Sequence, residues 1–407
     1  MATGFSKLRL PDGFDRDMSL LTLSMSSRRI AMGFLQVVRA IYFALLGFTP
    51  LEIGLLLSLA TFISAIHNIT FGVLSDRYGR KIFLVLGGIF ATLRMVIFAL
   101  SHDFWMLALG QGIGAMGEGA GAGQPVVSGY ISDKVSVVNR APVFSTLAIT
   151  SALAATVGSL LAGLPAYFQE SLGFDMIAAH SLLFWIGAAG GIASLLFLLP
   201  LKDVKPERHV EDVLESASGG RSLGRSWSMI AKFSLIRSTS GLGYGLIESL
   251  LPLYFFIRFN VGGEFLGPIY ALARFISMFS YLLIPWFVDR YGEIPTIVAS
   301  RLVSGFLAVA LSIASSLPVA VVVLVVFRIN ASFTMPIRQV IATGIVSPEE
   351  TATAIGVSNF ARMGLRTLAP TAAGYMFEAV SLSMPFLTGA VLIVANGLLY
   401  KFFLQKR

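Results

Sequence analysis

A polar turn occurs twice in this chain, each time between two long apolar segments. The first copy is Gly72-Val-Leu-Ser-Asp-Arg-Tyr-Gly-Arg-Lys81, and a shorter copy is Val288-Asp-Arg-Tyr-Gly-Glu293. The aspartates of the two copies, Asp76 and Asp289, are 213 residues apart. The segment from Arg29 to Gly33 is echoed in the same way by the segment from Arg237 to Gly241. Tandem repeats of this kind are typical of membrane transporters built from two similar halves. The repeat therefore predicts an integral membrane protein with two related halves.

The composition favours the same class. The chain is 56% hydrophobic and 13% charged, with a mean hydropathy of +0.80, whereas soluble domains are about 25% charged. Apolar runs of about 20 residues match the thickness of a bilayer. We therefore predict an all-α protein with twelve transmembrane helices over 27–48, 52–74, 82–101, 104–131, 141–165, 177–200, 229–257, 264–288, 294–315, 318–345, 350–378 and 382–403.

The predicted domains are an N-terminal six-helix half (1–200), a cytoplasmic linker (201–228) and a C-terminal six-helix half (229–407). Lysines and arginines concentrate in the linker and in the loops on its side of the membrane, while acidic residues such as Glu52 and Asp175 lie in the opposite loops. The positive-inside rule then places both termini in the cytoplasm of a multi-pass protein of the plasma or inner membrane. The same asymmetry accounts for the net charge of +8, so no nucleic-acid partner is predicted. Residues 1–20 contain no apolar core of a cleavable signal peptide.

Several kinds of chemistry find no support in the residue pattern. The chain contains no cysteine, which excludes disulfides, thiolate metal sites and cysteine nucleophiles. Its four histidines are far apart in sequence, and there is no Gly-Lys-Ser/Thr phosphate loop. We predict neither a metal nor a cofactor, and no enzyme activity.

Twelve spans and the turn at Gly72–Lys81 resemble the major facilitator superfamily, whose signature loop matches this segment at every defined position except the loosely defined Ser75. The resemblance implies transport by alternating access, with spans 1, 4, 7 and 10 lining a central cavity. It further implies that Asp76 lies near the start of span eleven, where Ser347-Pro348-Glu349-Glu350 forms a capping pattern, and that Arg80 reaches Asp133. A plain solvated helix end is the alternative for the loop. The predicted gating residues are Gly72, Asp76, Arg77, Gly79, Arg80, Asp133, Asp289 and Arg290.

The second copy of the loop departs from the pattern. Pro285 stands in place of the leading glycine and Glu293 in place of a base. A weaker contact is expected there, with the Asn139-Arg140-Ala141-Pro142 segment as its counterpart.

Ionisable residues inside the membrane are candidates for function, because each costs about 2.5–3.5 kcal/mol to insert. Glu118 and Glu248 are the predicted proton-coupling residues, because burial favours the protonated form of a carboxylate. The predicted substrate-binding residues are Arg39, Arg328, Tyr244, Arg274, Asn359, Arg362 and Arg366. A buried ion pair that only joins helices, for example Arg39 with Glu118, is the alternative for the charged residues of the cavity helices.

Other intramembrane arginines are assigned differently. Arg94, on span three, is as compatible with a structural contact as with function. Arg237, Arg301 and Arg338 lie nearer the cytoplasmic ends and are expected to extend toward water, as long basic side chains do at membrane surfaces.

The predicted function is secondary active transport of a small organic solute, coupled to protons. Arginines outnumber glutamates on the cavity and side helices, which favours an organic anion. The first alternative is a proton antiporter that exports drugs or lipophilic cations, although Ala108 stands where drug exporters of the family often have an arginine. A non-transporting membrane sensor is a further alternative. The predicted partners are the small-molecule substrate, protons and membrane lipid, and the chain is predicted to be a monomer.

Overall fold

In the computed structural model, the described residues are 14–117, 125–203, 223–344 and 351–404. Every regular element in these ranges is a helix, and the helices follow one another in the order of the twelve predicted spans, which confirms the all-α membrane fold. Among the described residues, nine helices are long and apolar enough to cross a bilayer. The helices are α1 (Arg16–Leu45), α2 (Pro50–Tyr78), α3 (Arg80–Leu100), α4 (Phe104–Gly117 and Pro125–Lys134), α5 (Val137–Leu160, the 3-10 turn Leu161–Gly163, and Leu164–Leu172), α6 (Met176–Leu198), α7 (Leu223–Glu248 and Leu251–Phe259), α8 (Gly263–Ser280, the 3-10 turn Tyr281–Leu283, and Ile284–Tyr291), α9 (Glu293–Ile313), α10 (Leu317–Phe333 and Met335–Gly344), α11 (Thr351–Ala379) and α12 (Met384–Leu404).

Local sequence signals set several helix starts. Thr49 and Glu52 form a capping box ahead of α2, with Pro50 at the first helical position. Asp15 accepts a hydrogen bond from the Met18 backbone N–H, and α1 therefore begins eleven residues earlier than the predicted span. This extra segment is amphipathic, and it buries Met18 in a cluster with α4 and α5.

The first and seventh helices use equivalent glycines for close packing. α1 packs against α5, and α7 packs against α11 in the same way. A Cβ atom on Gly33 would lie 2.4 Å from the Ala155 carbonyl oxygen, and one on Gly241 would lie 2.5 Å from the Arg362 carbonyl oxygen. The two glycines of the sequence repeat thus allow the same close helix packing in each half, because small residues let membrane helices approach closely.

The two halves contact each other through α2 with α11 and α5 with α8. Gly54 lies against the Pro370 carbonyl, and Gly374 against the Pro50 carbonyl. The Thr371 hydroxyl donates to Ser58 at 2.7 Å across the same α2–α11 contact. These contacts lie toward the end of the molecule that the loop charges predict to be extracellular. That end is closed in this conformation.

Candidate transport site

A cavity of about 170 Å³ lies between the two halves, and we call it the inter-half cavity. Arg39 donates to the Gln111 side-chain oxygen at 3.1 Å, so its guanidinium is held against α4. The guanidinium of Arg328 lies over the ring of Tyr270, 4.3 Å from the centroid. Both arginines were predicted to bind substrate. The lining residues are Gln36, Arg39, Leu57, Thr61, Gly245, Glu248, Ser249, Tyr270, Arg328, Arg366 and Pro370.

A second cavity, of about 310 Å³, lies among the helices of the C-terminal half, and we call it the C-terminal-half cavity. Four arginines from α7, α10 and α11 line it together with one carboxylate, Glu248. Such a surplus of cations attracts negatively charged groups. The lining residues are Phe233, Arg237, Ser240, Gly241, Tyr244, Glu248, Ala331, Ser332, Met335, Arg338, Gln339, Arg362, Arg366 and Tyr400.

One ion pair borders both cavities. Arg366 Nη2 lies 3.5 Å from Glu248 Oε2, and the side chains are 40% and 29% exposed, respectively. Both residues line the inter-half cavity and the C-terminal-half cavity. A change in the charge of Glu248 would therefore alter the electrostatic potential in both cavities.

The remaining predicted substrate residues occupy different surroundings. Tyr244 lines the C-terminal-half cavity and donates its hydroxyl to Ser304 on α9 at 2.8 Å. Asn359 accepts a hydrogen bond of 2.7 Å from Arg237. Arg362 lines the C-terminal-half cavity, whereas Glu118 lies outside the described residues.

Arg274 joins the two halves. From α8 it donates to the Ala155 carbonyl at 2.8 Å and to the side-chain oxygen of Gln36 on α1. In this conformation its guanidinium is engaged in these inter-half contacts. A change in the separation of the halves would break them.

The prediction that three arginines near the cytoplasmic ends extend toward water is wrong for Arg301. Arg237 and Arg338 line the C-terminal-half cavity, and Arg301 is fully buried with its guanidinium 4.8 Å from the centroid of the Tyr244 ring. Each side chain faces the protein interior because of the rotation of its helix. Arg94 is also fully buried, and it donates to the Met32 sulfur at 3.0 Å, which agrees with a structural contact.

The signature loop is organised around Arg80. This buried guanidinium pairs with Asp76, contacts Asp133 at 3.1 Å, and donates to the Ser75 hydroxyl at 2.9 Å. The predicted contact between Arg80 and Asp133 is therefore present, and the loosely defined position, Ser75, contributes directly. Arg77 is exposed, and Gly72 faces the ring of Pro125.

Sequence reasoning missed Asp203, a second anchor of this loop. The backbone N–H of Lys81 donates to the Asp203 carboxylate at 3.2 Å. Gly79 has a φ of 101°, and a Cβ atom there would lie 2.6 Å from the same carboxylate. Asp203 had been assigned to the linker, and no sequence signal distinguished it from the other acidic residues there. The predicted partner of Asp76 at the start of span eleven, residues 347–350, lies outside the described residues.

The second copy of the loop is arranged differently. Asp289 is exposed, and Arg290 stacks its guanidinium over Trp286 and Tyr291 at 5.7 and 5.8 Å from the ring centroids. Arg140, in the segment predicted to be its counterpart, donates to the Ser132 carbonyl at 2.7 Å and so ties the end of α4 to the start of α5. The gating role of either copy stays a prediction.

Comparisons with known proteins agree with this fold. Residues 18–370 match the Major Facilitator Superfamily, and the chain belongs to this family of membrane transporters. It is 20% identical over 422 residues to the "Uncharacterized membrane protein YJR124C" of Saccharomyces cerevisiae, covering 96% of this chain and 94% of that protein. It is 23% identical over 271 residues to the "Quinolone resistance protein NorA" of Staphylococcus aureus, covering 63% of this chain and 66% of NorA. Among solved structures, a bacterial homologue of the human lysosomal transporter Spinster, inward-facing and occupied, superposes with a TM-score of 0.74 at 18% identity and covers 96% of each chain.

Proposed function

We propose that this transporter moves an organic anion across the membrane and couples the movement to protons. The observation that carries the proposal is the charge of the two cavities. Among the described residues, six arginines line them and one glutamate, Glu248. The arginines are Arg39, Arg237, Arg328, Arg338, Arg362 and Arg366.

Arginines at membrane depth need a counter-charge, because a desolvated cation is expensive unless it is paired. Glu248 supplies one negative charge, and an anionic cargo would supply the rest. The planar guanidinium fork binds carboxylate and phosphate groups through two parallel hydrogen bonds. The arrangement therefore supports anions over cations.

Glu248 is the proposed proton-coupling residue, with Arg366 as its partner. At their separation of 3.5 Å, two unit charges attract by about 5 kcal/mol at an effective dielectric constant of about 20. Because Arg366 is 40% exposed, solvent screening reduces this attraction to about 1 kcal/mol. Protonation of Glu248 would remove it and leave Arg366 available to an anion. Proton and anion binding would thus favour each other. Glu118 remains the second predicted coupling residue.

Alternating access would then require the closed end to open. The contacts of α2 with α11 and of α5 with α8 would separate, and the contacts of Arg274 with Ala155 and Gln36 would break. We propose that the chain does this as a monomer in the plasma or inner membrane with both termini in the cytoplasm. The Arg80 cluster would form part of the gate at the opposite end.

The test is uptake of radiolabelled organic anions and lipophilic cations into proteoliposomes with an imposed pH gradient. The proposal expects uptake of an anion that depends on the gradient, and a decrease of about tenfold or more in Arg328→Gln, which loses a charge-assisted contact. Lys401→Gln is the matched control, because it removes an exposed positive charge at the end of α12, outside both cavities. Accumulation of cations alone would contradict the proposal.

Export of drugs is the second candidate, and the likeness to NorA, a quinolone resistance protein, supports it. In this case Glu248 would recognise a cationic group of the drug. The two candidates differ in the response to Glu248→Gln, which would abolish binding of a cation but would leave an anion bound. Binding of each class to the purified variant therefore separates them.

A further inference from the structure

We infer that the C-terminal-half cavity binds the dianion of a phosphate monoester. This inference rests on the proposed function, because it assigns a chemical class of anion and a place for it. The site would be distinct from the inter-half cavity, since Arg237, Arg338 and Arg362 line the C-terminal-half cavity and not the inter-half cavity.

The charge balance of this cavity points to more than one negative charge. Four arginines line it, and Glu248 offsets one of them by pairing with Arg366. Three positive charges then have no carboxylate among the described lining residues. A single carboxylate would leave two of them uncompensated, whereas a phosphate monoester carries close to two negative charges at neutral pH.

Hydrogen bonding fixes the directions of these arginines but leaves donors for a ligand. Arg237 uses one terminal nitrogen for Asn359 at 2.7 Å. Arg338 donates to the carbonyls of Thr334 and Ala331, at 3.2 and 3.5 Å, within its own helix. Each guanidinium has five N–H donors. Several donors per arginine are therefore left for an oxyanion with three acceptor oxygens.

Arg301 adds a buried positive charge close to the residues that line the C-terminal-half cavity. Its side chain is fully buried, and none of its three guanidinium nitrogens has a hydrogen-bond partner within the described part of the chain. Tyr244 lines the cavity, and the Arg301 guanidinium lies over the Tyr244 ring, 4.8 Å from its centroid. An unpaired buried cation is costly by itself, and an anion in the cavity would lower that cost.

The size and remaining lining suit a small ester. The volume of about 310 Å³ holds a phosphate with a short organic group, at the low end of the range of ligand sites, about 300–1,000 Å³. Hydroxyls of Ser240 and Tyr400 can donate to phosphate oxygens, and Phe233 offers an apolar face to the organic part.

The test is calorimetric binding to the purified full-length chain in phosphate-free buffer, with glycerol 3-phosphate, inorganic phosphate and succinate as soluble probes. Nanodiscs containing phosphatidic acid test a lipid headgroup as the source of the same chemistry. We expect glycerol 3-phosphate to bind and Arg338→Gln to weaken binding about 10- to 100-fold. Lys401→Gln, which removes an exposed positive charge outside both cavities, should change binding by no more than about threefold. Arg362→Gln repeats the test if Arg338→Gln does not purify.

Dependence on Arg338 for phosphatidic acid alone would support the site and identify the lipid as its occupant. Equal affinity for succinate would overturn the phosphate assignment. Absence of binding, or an equal loss in Lys401→Gln and Arg338→Gln, would overturn the site. If the site fails this test but anion uptake into proteoliposomes still depends on Arg328, this inference is refuted and the proposed function is not.

Discussion

Replacement of Gly374 by alanine tests how the two halves meet. In the closed end, a Cβ atom on Gly374 would lie 2.2 Å from the Pro50 carbonyl oxygen and 3.0 Å from the Leu51 Cα atom. Both neighbours are backbone atoms in the first turn of α2, which its capping box holds in place. The helices would have to separate by about 1 Å to restore ordinary van der Waals contact.

Overpacking of this kind costs about 1–3 kcal/mol, and the cost applies only while the end is closed. The equilibrium between the two access states would therefore shift about 5- to 150-fold toward opening at this end. Gly364→Ala is the matched control, because it changes the same helix at a position where a Cβ atom meets nothing within 4 Å.

The natural absence of cysteine gives a direct assay. A single Thr61→Cys substitution in the inter-half cavity can be labelled with a membrane-impermeant maleimide added from outside the cell. We expect faster labelling when Gly374→Ala is also present, and an unchanged rate with Gly364→Ala. Equal labelling rates in both backgrounds would refute the assignment of the closed end to the extracellular side, or the two-state exchange itself.

Three further substitutions test other parts of the structure. Arg80→Gln removes the centre of the signature-loop cluster and should lower the free energy of unfolding, measured by thermal denaturation, by about 2 kcal/mol. Substitution of the exposed Arg77 by Gln should change it by less than about 0.5 kcal/mol. Equal effects of the two substitutions would contradict the role of the cluster. Gly158→Val places a side chain where even a Cβ atom would lie 2.0 Å from the Ile30 carbonyl oxygen. It should therefore destabilise the N-terminal half by about 3 kcal/mol. Unchanged thermal stability of the variant would contradict the close α1–α5 packing. Arg301→Met should raise stability by about 1–4 kcal/mol, since it removes a buried charge, while weakening phosphate-ester binding in calorimetry; a loss of stability would show that the charge is already compensated.

The general architecture was predictable because hydropathy and repetition report it directly. Apolar run length gave the order of the helices, and the repeat from Arg29 to Gly33 and Arg237 to Gly241 pointed to positions that proved equivalent in packing. The contact of Arg80 with Asp133 followed from the family resemblance. The absence of Glu118 and residues 347–350 from the described ranges leaves their predicted roles as predictions.

The orientation of side chains around each helix was less predictable. Arg301 and Arg338 were assigned by their distance from the membrane surface, which carries no information on helix rotation. Rotation depends on which neighbours pack closely, and a single glycine such as Gly397, against the Arg301 side chain, can decide it. The contact of Asp203 with the signature loop depends likewise on how the end of α6 meets the start of α3.

Coupling through Glu248 is the central claim, and transport with and without a pH gradient tests it most directly. In proteoliposomes, the wild-type protein should accumulate the anion above equilibrium only when a gradient is imposed. Glu248→Gln should still exchange labelled for unlabelled anion across the membrane, but it should no longer accumulate it. Gradient-driven accumulation by Glu248→Gln equal to that of the wild type would contradict the account.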